Sequence, residues 1–90
     1  MTIKELIEQG EGKAHNWKVV KPDTAPGDGD LRELYHHSTR MLTWNHTTKE
    51  VIDWDLGHGS KSDQDGMNIA FQVLGSKYYY SRKGGAAIRE

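Results

Sequence analysis

Residues 51–75, VIDWDLGHGSKSDQDGMNIAFQVLG, join a strand pattern to a helix pattern and decide the fold. Ser62 as N-cap and Asp65 three residues later have the spacing of a capping box, and Gly75 is a natural C-terminal stop. One apolar stripe repeats at helical spacing between these ends: Met67, Ala70, Phe71 and Leu74. The sequence therefore predicts a helix between Ser62 and Gly75 with one face that must be buried.

The residues before this helix have the alternation of a half-buried antiparallel strand. In Val51–Leu56, we expect Ile52, Trp54 and Leu56 to face the core, and the two aspartates between them to face solvent. Met41–Asn45 has a similar pattern and supplies cross-strand partners. The predicted core has six main members: Met67, Phe71, Leu74, Ile52, Trp54 and Leu42.

The rest of the chain adds short elements and two loops. Thr2 and Glu5 have the spacing of a capping box and Gly10 is a natural stop, which predicts a helix over residues 2–9. Strands are predicted over Trp17–Lys21 and Leu31–His36, and a closing hairpin over Lys77–Ser81 and Ala86–Ile88. Gly10–Asn16 and Pro22–Asp30 are predicted loops. The second contains both prolines, two glycines and three aspartates, so we expect it to be mobile.

Strands that come in runs, rather than alternating with helices, predict an α+β fold. We expect a small antiparallel sheet of about four to six strands, covered on one face by the helix of the C-terminal half, plus a short N-terminal helix. Ninety residues make a single domain. Residues 1–30 would carry the N-terminal helix, a short strand and the mobile loop, and residues 31–90 the sheet–helix–hairpin core.

Composition excludes several classes of function. The chain has no cysteine, which excludes disulfides and thiolate metal sites. It has no apolar run long enough to span a membrane and no signal-peptide pattern, so we expect a cytoplasmic location. Twelve basic and thirteen acidic side chains give a net charge of −1, which is no general footprint for nucleic acid. The charged side chains of residues 50–65 are nevertheless mostly acidic, and those of the tail from Lys77 are mostly basic.

A family resemblance covers roughly residues 34–88, LYHHSTRMLTWNHTTKEVIDWDLGHGSKSDQDGMNIAFQVLGSKYYYSRKGGAAI. This run resembles small accessory proteins of tailed bacteriophages, which combine an aromatic strand, a hairpin, a glycine-and-hydroxyl break, a helix and a closing basic hairpin. The break here reads GHGSKSD, where those proteins usually have a Gly-Gly-aromatic-Thr run. The resemblance implies a phage accessory protein that acts in the host cytoplasm, and it implies no activity.

Histidines and aspartates are the side chains here that bind metal ions elsewhere. They are His36, His37, His46, Asp53, Asp55 and His58. No ligand spacing such as HExxH is present, and adjacent strand residues such as His36 and His37 should point to opposite faces. Residues 63–66, DQDG, lack the other ligands of a calcium loop and fit a helix cap better. We therefore predict no metal and no cofactor, and a small metal-dependent hydrolase around Asp55, His58 and Lys61 is a remote alternative.

The most suggestive cluster for binding lies in the closing hairpin. Tyr78, Tyr79 and Tyr80 precede Arg82 and Lys83. Alternation puts Tyr78 and Tyr80 on one face and Tyr79 on the other, so one or two rings belong to the core. The remainder, beside two cations, suits a protein interface or stacking on unpaired bases. We predict a non-enzymatic protein that binds a host or phage protein through these five residues, with nucleic-acid binding as the alternative.

Overall fold

Two helices and seven strands make up the described part of the chain. The computed structural model describes residues 1–23, 29–55, 57, 60–81 and 86–89, the last range and Ser81 by their backbone. In chain order the elements are α1 (Ile3–Gln9), β1 (Gly12–Ala14), β2 (Trp17–Val20), β3 (Leu31–His36), β4 (Thr39–Asn45), β5 (Val51–Trp54), α2 (Lys61–Val73), β6 (Tyr78–Ser81) and β7 (Ala86–Arg89).

The strands form two antiparallel sheets. Strands β1 to β5 pair in chain order as a five-stranded meander, and β6 pairs with β7 as a separate two-stranded ribbon. A helix in the C-terminal half and a short N-terminal helix accompany them. The predicted α+β class is therefore confirmed. None of the described helices is long and apolar enough to cross a membrane.

Both helices contribute to one core with the five-stranded sheet. Buried side chains of α1 and α2 lie in the same apolar cluster as those of β2, β3 and β4. The cluster contains Leu6, Ile7, Ala14, Trp17, Val19, Leu34, Met41, Leu42, Trp44, Met67, Ala70, Phe71, Leu74 and Tyr80. Helix α2 approaches the sheet at Gly66, where an added Cβ would lie 2.0 Å from Cζ2 of Trp17. The first thirty residues thus help to build the core.

The helix ends confirm one predicted cap and correct another. Helix α1 has the capping box of Thr2 with Glu5. Helix α2 begins two residues earlier than predicted, with Ser60 as N-cap. Asp63, not Asp65, occupies the third position, where its carboxylate accepts the backbone N–H of Ser60 at 3.2 Å. At the other end, Gly75 follows the C-cap with φ 68°, as predicted.

Strand β5 corrects the predicted core. Ile52 is 53% exposed, while Val51 and Trp54 pack partly buried against the core. The cause is an irregularity in the pairing with β4: Trp44 lies opposite Val51 and Thr43 lies opposite Asp53, so Ile52 is an extra residue. A bulge of this kind interrupts the simple alternation of sides. The other predicted core members, Met67, Phe71, Leu74 and Leu42, are buried, and Leu56 lies outside the described residues.

The segment Gly10–Asn16, predicted to be a loop, contains a strand. Residues Gly12–Ala14 pair with Trp17–Val20 in a tight hairpin turned by His15 and Asn16. His15 has φ 55°, the left-handed conformation that such a short turn requires. The predicted mobile loop Pro22–Asp30 falls mainly on residues 24–28, which lie outside the described residues.

Candidate binding surface

The ribbon β6–β7 is attached to α2 through alternate residues of β6. Tyr80 is 2% exposed and belongs to the core. Tyr78 is half-buried, with its ring centroid 5.8 Å from that of Phe71 and 6.0 Å from that of Trp54. These contacts place Tyr78 and Tyr80 on the face that packs inward, because residues two apart in a strand share a face.

A side chain of α2 also binds the backbone of β6. Asn68 accepts the N–H of Tyr80 at 2.6 Å and donates its amide to the carbonyl oxygen of Tyr80 at 2.9 Å. The side-chain amide therefore pairs with this residue as a neighbouring strand would. The edge of β6 that faces away from β7 is occupied at Tyr80.

Tyr79 lies on the opposite face of β6 and is 42% exposed. Of the five predicted site residues, it is the one whose ring the structure places at the surface. Tyr78 and Tyr80 are largely taken up by packing, and Arg82 and Lys83 lie outside the described residues. Tyr79 is therefore a large ring that is open to solvent and carried by a strand with anchored neighbours.

Strand β7 has one edge that no described strand occupies. The N–H and carbonyl of Tyr80 bind Asn68, an arrangement expected where the opposed residues, here Tyr80 and Ala87, form a non-hydrogen-bonded pair of the ribbon. The backbone groups of Ala87 then also point away from β6, to the outside of the ribbon. Among the described strands, β6 alone pairs with β7. An extended segment of another chain can therefore add to this edge.

A buried histidine–aspartate pair ties α2 to the five-stranded sheet. Nδ1 of His36, the last residue of β3, donates to Oδ1 of Asp63 at 2.5 Å, and both side chains are buried. The ring of His36 also stacks on Trp17, with centroids 4.1 Å apart and an interplanar angle of 6°. The pair satisfies two buried polar groups and fixes the start of α2 over the sheet.

The two adjacent histidines do not point to opposite faces, so that prediction was wrong. The His37 ring centroid lies 4.5 Å from that of His36. Strand β3 ends at His36, and His37 turns the chain with φ 58°, which removes the strand alternation. Its backbone N–H donates to the carbonyl oxygen of Asn16 at 2.8 Å and so ties two neighbouring turns together.

The other predicted metal-binding types are dispersed. In the described part of the chain, no three histidine, aspartate or glutamate side chains come close enough to hold a metal ion. Asp53 and Asp55 are exposed, as predicted. His46 lies beside Trp44, whose indole Nε1–H donates to its Nδ1 at 3.4 Å. His58 lies outside the described residues.

Sequence reasoning missed the pairing of His36 with Asp63. Two overlapping patterns, Ser60 with Asp63 and Ser62 with Asp65, have equal capping spacing. The histidine at the end of β3 decides between them, because it requires a buried carboxylate, and this contact spans 27 residues. The one sequence signal that favours Ser60 as the N-cap is its position directly after the glycine break.

Searches against protein-family models, curated proteins and solved structures found no match to this chain.

Proposed function

We propose that this chain is a non-enzymatic phage accessory protein that binds and modulates a host or phage protein through its β6–β7 ribbon. It would act in the host cytoplasm. The observation that carries the proposal is the exposure of Tyr79 on a strand whose neighbours Tyr78 and Tyr80 are anchored. A large ring on a rigid support loses little conformational entropy when a partner covers it, and tyrosine is enriched at interface centres for this reason.

The open edge of β7 adds a second mode of contact to the same surface. Backbone hydrogen bonds from a partner strand supply affinity, and side chains beside the ribbon supply selectivity. The basic residues of the tail, Lys77, Arg82, Lys83 and Arg89, favour a partner segment with acidic character. The resemblance to phage accessory proteins supports a role that depends on contact with another protein.

The test is capture of a partner from host lysate by tagged wild-type protein and by two variants. Tyr79→Ala removes the exposed ring, and Arg82→Glu with Lys83→Glu reverses two charges in the segment between β6 and β7. We expect both variants to melt nearly as wild type, because surface substitutions usually change stability by about 0.5 kcal/mol or less. Loss of one interface anchor weakens binding by about 2 kcal/mol or more, or roughly thirtyfold.

A matched control reverses two charges elsewhere. Lys4→Glu with Lys21→Glu changes exposed residues of α1 and of the segment after β2, and it should capture the same protein as wild type does. The affinities are then measured with the identified partner in purified form. Wild-type affinity in both ribbon variants would exclude the ribbon as the binding surface, and the acidic residues 50–65 would become the next candidate.

A further inference from the structure

The face of the five-stranded sheet opposite the helices carries a row of cations around one aromatic ring. Lys13, Lys18, Tyr35 and Arg40 are direct cross-strand partners in β1, β2, β3 and β4. Directly opposed residues share a face of the sheet. With strands about 4.8 Å apart, the row extends about 14 Å across four strands. Their neighbours Trp17 and Leu34 face the core, so the row lies on the outer face.

Two lysines of this row are cross-strand neighbours, and no described carboxylate pairs with either of them. Lys13 and Lys18 lie directly opposite each other, and both are exposed. Neither forms an ion pair with any residue that the structure describes. Like charges in this position destabilise a sheet. A bound anion would relieve that repulsion, which makes the pair a candidate contact for an anionic ligand.

The two lysines also line a shallow cavity at the same end of the sheet. The cavity has a volume of about 180 Å³ and is lined by Lys13, His15, Asn16, Lys18 and His37. Its described lining contains no carboxylate. The tie between the turns at Asn16 and His37 holds its two sides together.

Charges at the other end of the row are already compensated. Arg40 lies 3.2 Å from Glu33 and 3.6 Å from Asp53. Tyr35 stands between the two ends, half-buried, with its hydroxyl 3.4 Å from Oε1 of Glu33. The ammonium of Lys18 lies 5.6 Å from the centroid of the Tyr35 ring. The ring lies one strand away from Lys18, whose ammonium stands over it, and two strands away from Lys13.

We propose that this row binds single-stranded nucleic acid, with phosphates at Lys13, Lys18 and the adjoining cavity and one base stacked on Tyr35. A cationic surface that holds an aromatic ring matches the alternation of phosphate and base in an unpaired strand. A duplex offers its phosphates but keeps its bases stacked inside, so it cannot use the ring. The inference concerns a different surface from the β6–β7 ribbon, and the two ligands can be bound together.

The first test measures the fluorescence anisotropy of a labelled ten-nucleotide oligothymidylate at pH 8. Two lysine contacts to a single strand predict a log–log slope of affinity against salt of about −1.4. Affinity should then fall about sevenfold when the salt concentration rises from about 50 to about 200 mM. No salt-dependent binding by the wild-type protein at micromolar concentration would overturn the proposal.

Charge variants test the position of the site. Lys13→Gln with Lys18→Gln should lower the affinity at least about tenfold and flatten the salt dependence. Its melting temperature should not fall, since the change removes a like-charge pair. Lys4→Gln with Lys21→Gln removes the same charge from exposed residues elsewhere and should bind as wild type does. An equal loss in both double variants would mean attraction to bulk charge, and it would overturn the assignment to this row.

Ring variants and other polyanions test the stacking. Tyr35→Leu should weaken binding by about fivefold or more, whereas Tyr35→Phe keeps the ring and should bind as wild type does. Equal affinity for the oligonucleotide, a duplex of the same length and polyphosphate, with no effect of Tyr35→Leu, would show a general polyanion site and overturn the proposal. Arg82→Glu with Lys83→Glu should leave oligonucleotide binding intact. Loss of binding in that variant would assign nucleic acid to the ribbon, against this inference.

Discussion

The five-stranded sheet and the β6–β7 ribbon both pack on α2, but they are held to it in different ways. The sheet shares a core of many fully buried apolar side chains with both helices. The ribbon is attached through Tyr78, Tyr80 and the two hydrogen bonds of Asn68. Stability from many buried contacts is cooperative, whereas a few local contacts open with a small free energy. Substitutions in α2 should therefore affect the stability of the two sheets to different extents.

The largest effect is expected at Phe71, where the two attachments meet. Phe71 is 1% exposed and contacts the ring of Tyr78. Phe71→Ala should lower the free energy of unfolding by about 3–5 kcal/mol, as measured by denaturant titration. Gln72→Ala, at the exposed neighbouring position, is the control and should change stability little. An unchanged midpoint for Phe71→Ala would contradict the core described here.

A methyl group at Gly66 should act on the sheet alone. Its Cβ would lie 2.0 Å from Cζ2 of Trp17, so α2 and the indole must move apart. Overpacking of this kind costs about 1–3 kcal/mol, against a gain of about 1 kcal/mol in helix propensity, so we expect a net loss of stability. Thermal melting measures the loss of stability, and tryptophan fluorescence measures the movement of the indole. A higher melting temperature for Gly66→Ala would mean that Trp17 does not lie against the helix.

Asn68→Ala should act on the ribbon alone. The change leaves the N–H and carbonyl of Tyr80 without their partners, and each lost hydrogen bond costs about 0.5–1.5 kcal/mol. Hydrogen exchange should become faster at Tyr80 while the amide of Leu42 in β4 keeps its protection. Asn68→Asp retains the acceptor and loses the donor, so its exchange rate at Tyr80 should lie between those of wild type and Asn68→Ala. Equal acceleration at Leu42 would show that both sheets open as one unit.

The smallest effect is expected at His46, on the rim of the five-stranded sheet. Burial, reinforced by the positive charges of Lys49 and Arg32, holds the pKa of His46 below its ordinary value. The unfolded chain then binds a proton more readily than the folded chain does. The free energy of unfolding therefore decreases as the pH falls through the ordinary pKa of histidine toward the lowered pKa of His46. NMR titration measures the pKa directly. Lys49→Gln should raise the pKa of His46, and an unchanged value would exclude Lys49 as a cause and leave burial and Arg32.

Local patterns were sufficient for the parts of the fold that have one consistent signal. The stripe from Met67 to Leu74 and the glycine after it predicted α2, and the capping box of Thr2 predicted α1. Strand β1 was missed because Gly12, Lys13 and Ala14 have little strand propensity of their own. They pair because the adjacent strand Trp17–Val20 is a strong template.

The rest depended on contacts between distant segments. The side on which Ile52 lies is set by a bulge in the pairing with β4, which no alternation in β5 reveals. Strand alternation predicted that Tyr78 and Tyr80 share one face and that Tyr79 lies on the other. Which face is exposed depended on the packing of Tyr78 and Tyr80 against the core. The cationic row became visible only when β1 was in register with β2 and β3.

The contact of Asn68 with Tyr80 also limits how this protein can self-associate. An exposed strand edge is a template for further strands, and a ribbon with two such edges can extend in both directions into a fibril. Because the side chain of Asn68 occupies one edge at Tyr80, the ribbon can recruit another strand through β7 alone. Two copies that meet at that edge form a closed pair about a two-fold axis, with no open ribbon edge left for a third copy. A single asparagine thus limits strand addition at the ribbon to one further strand.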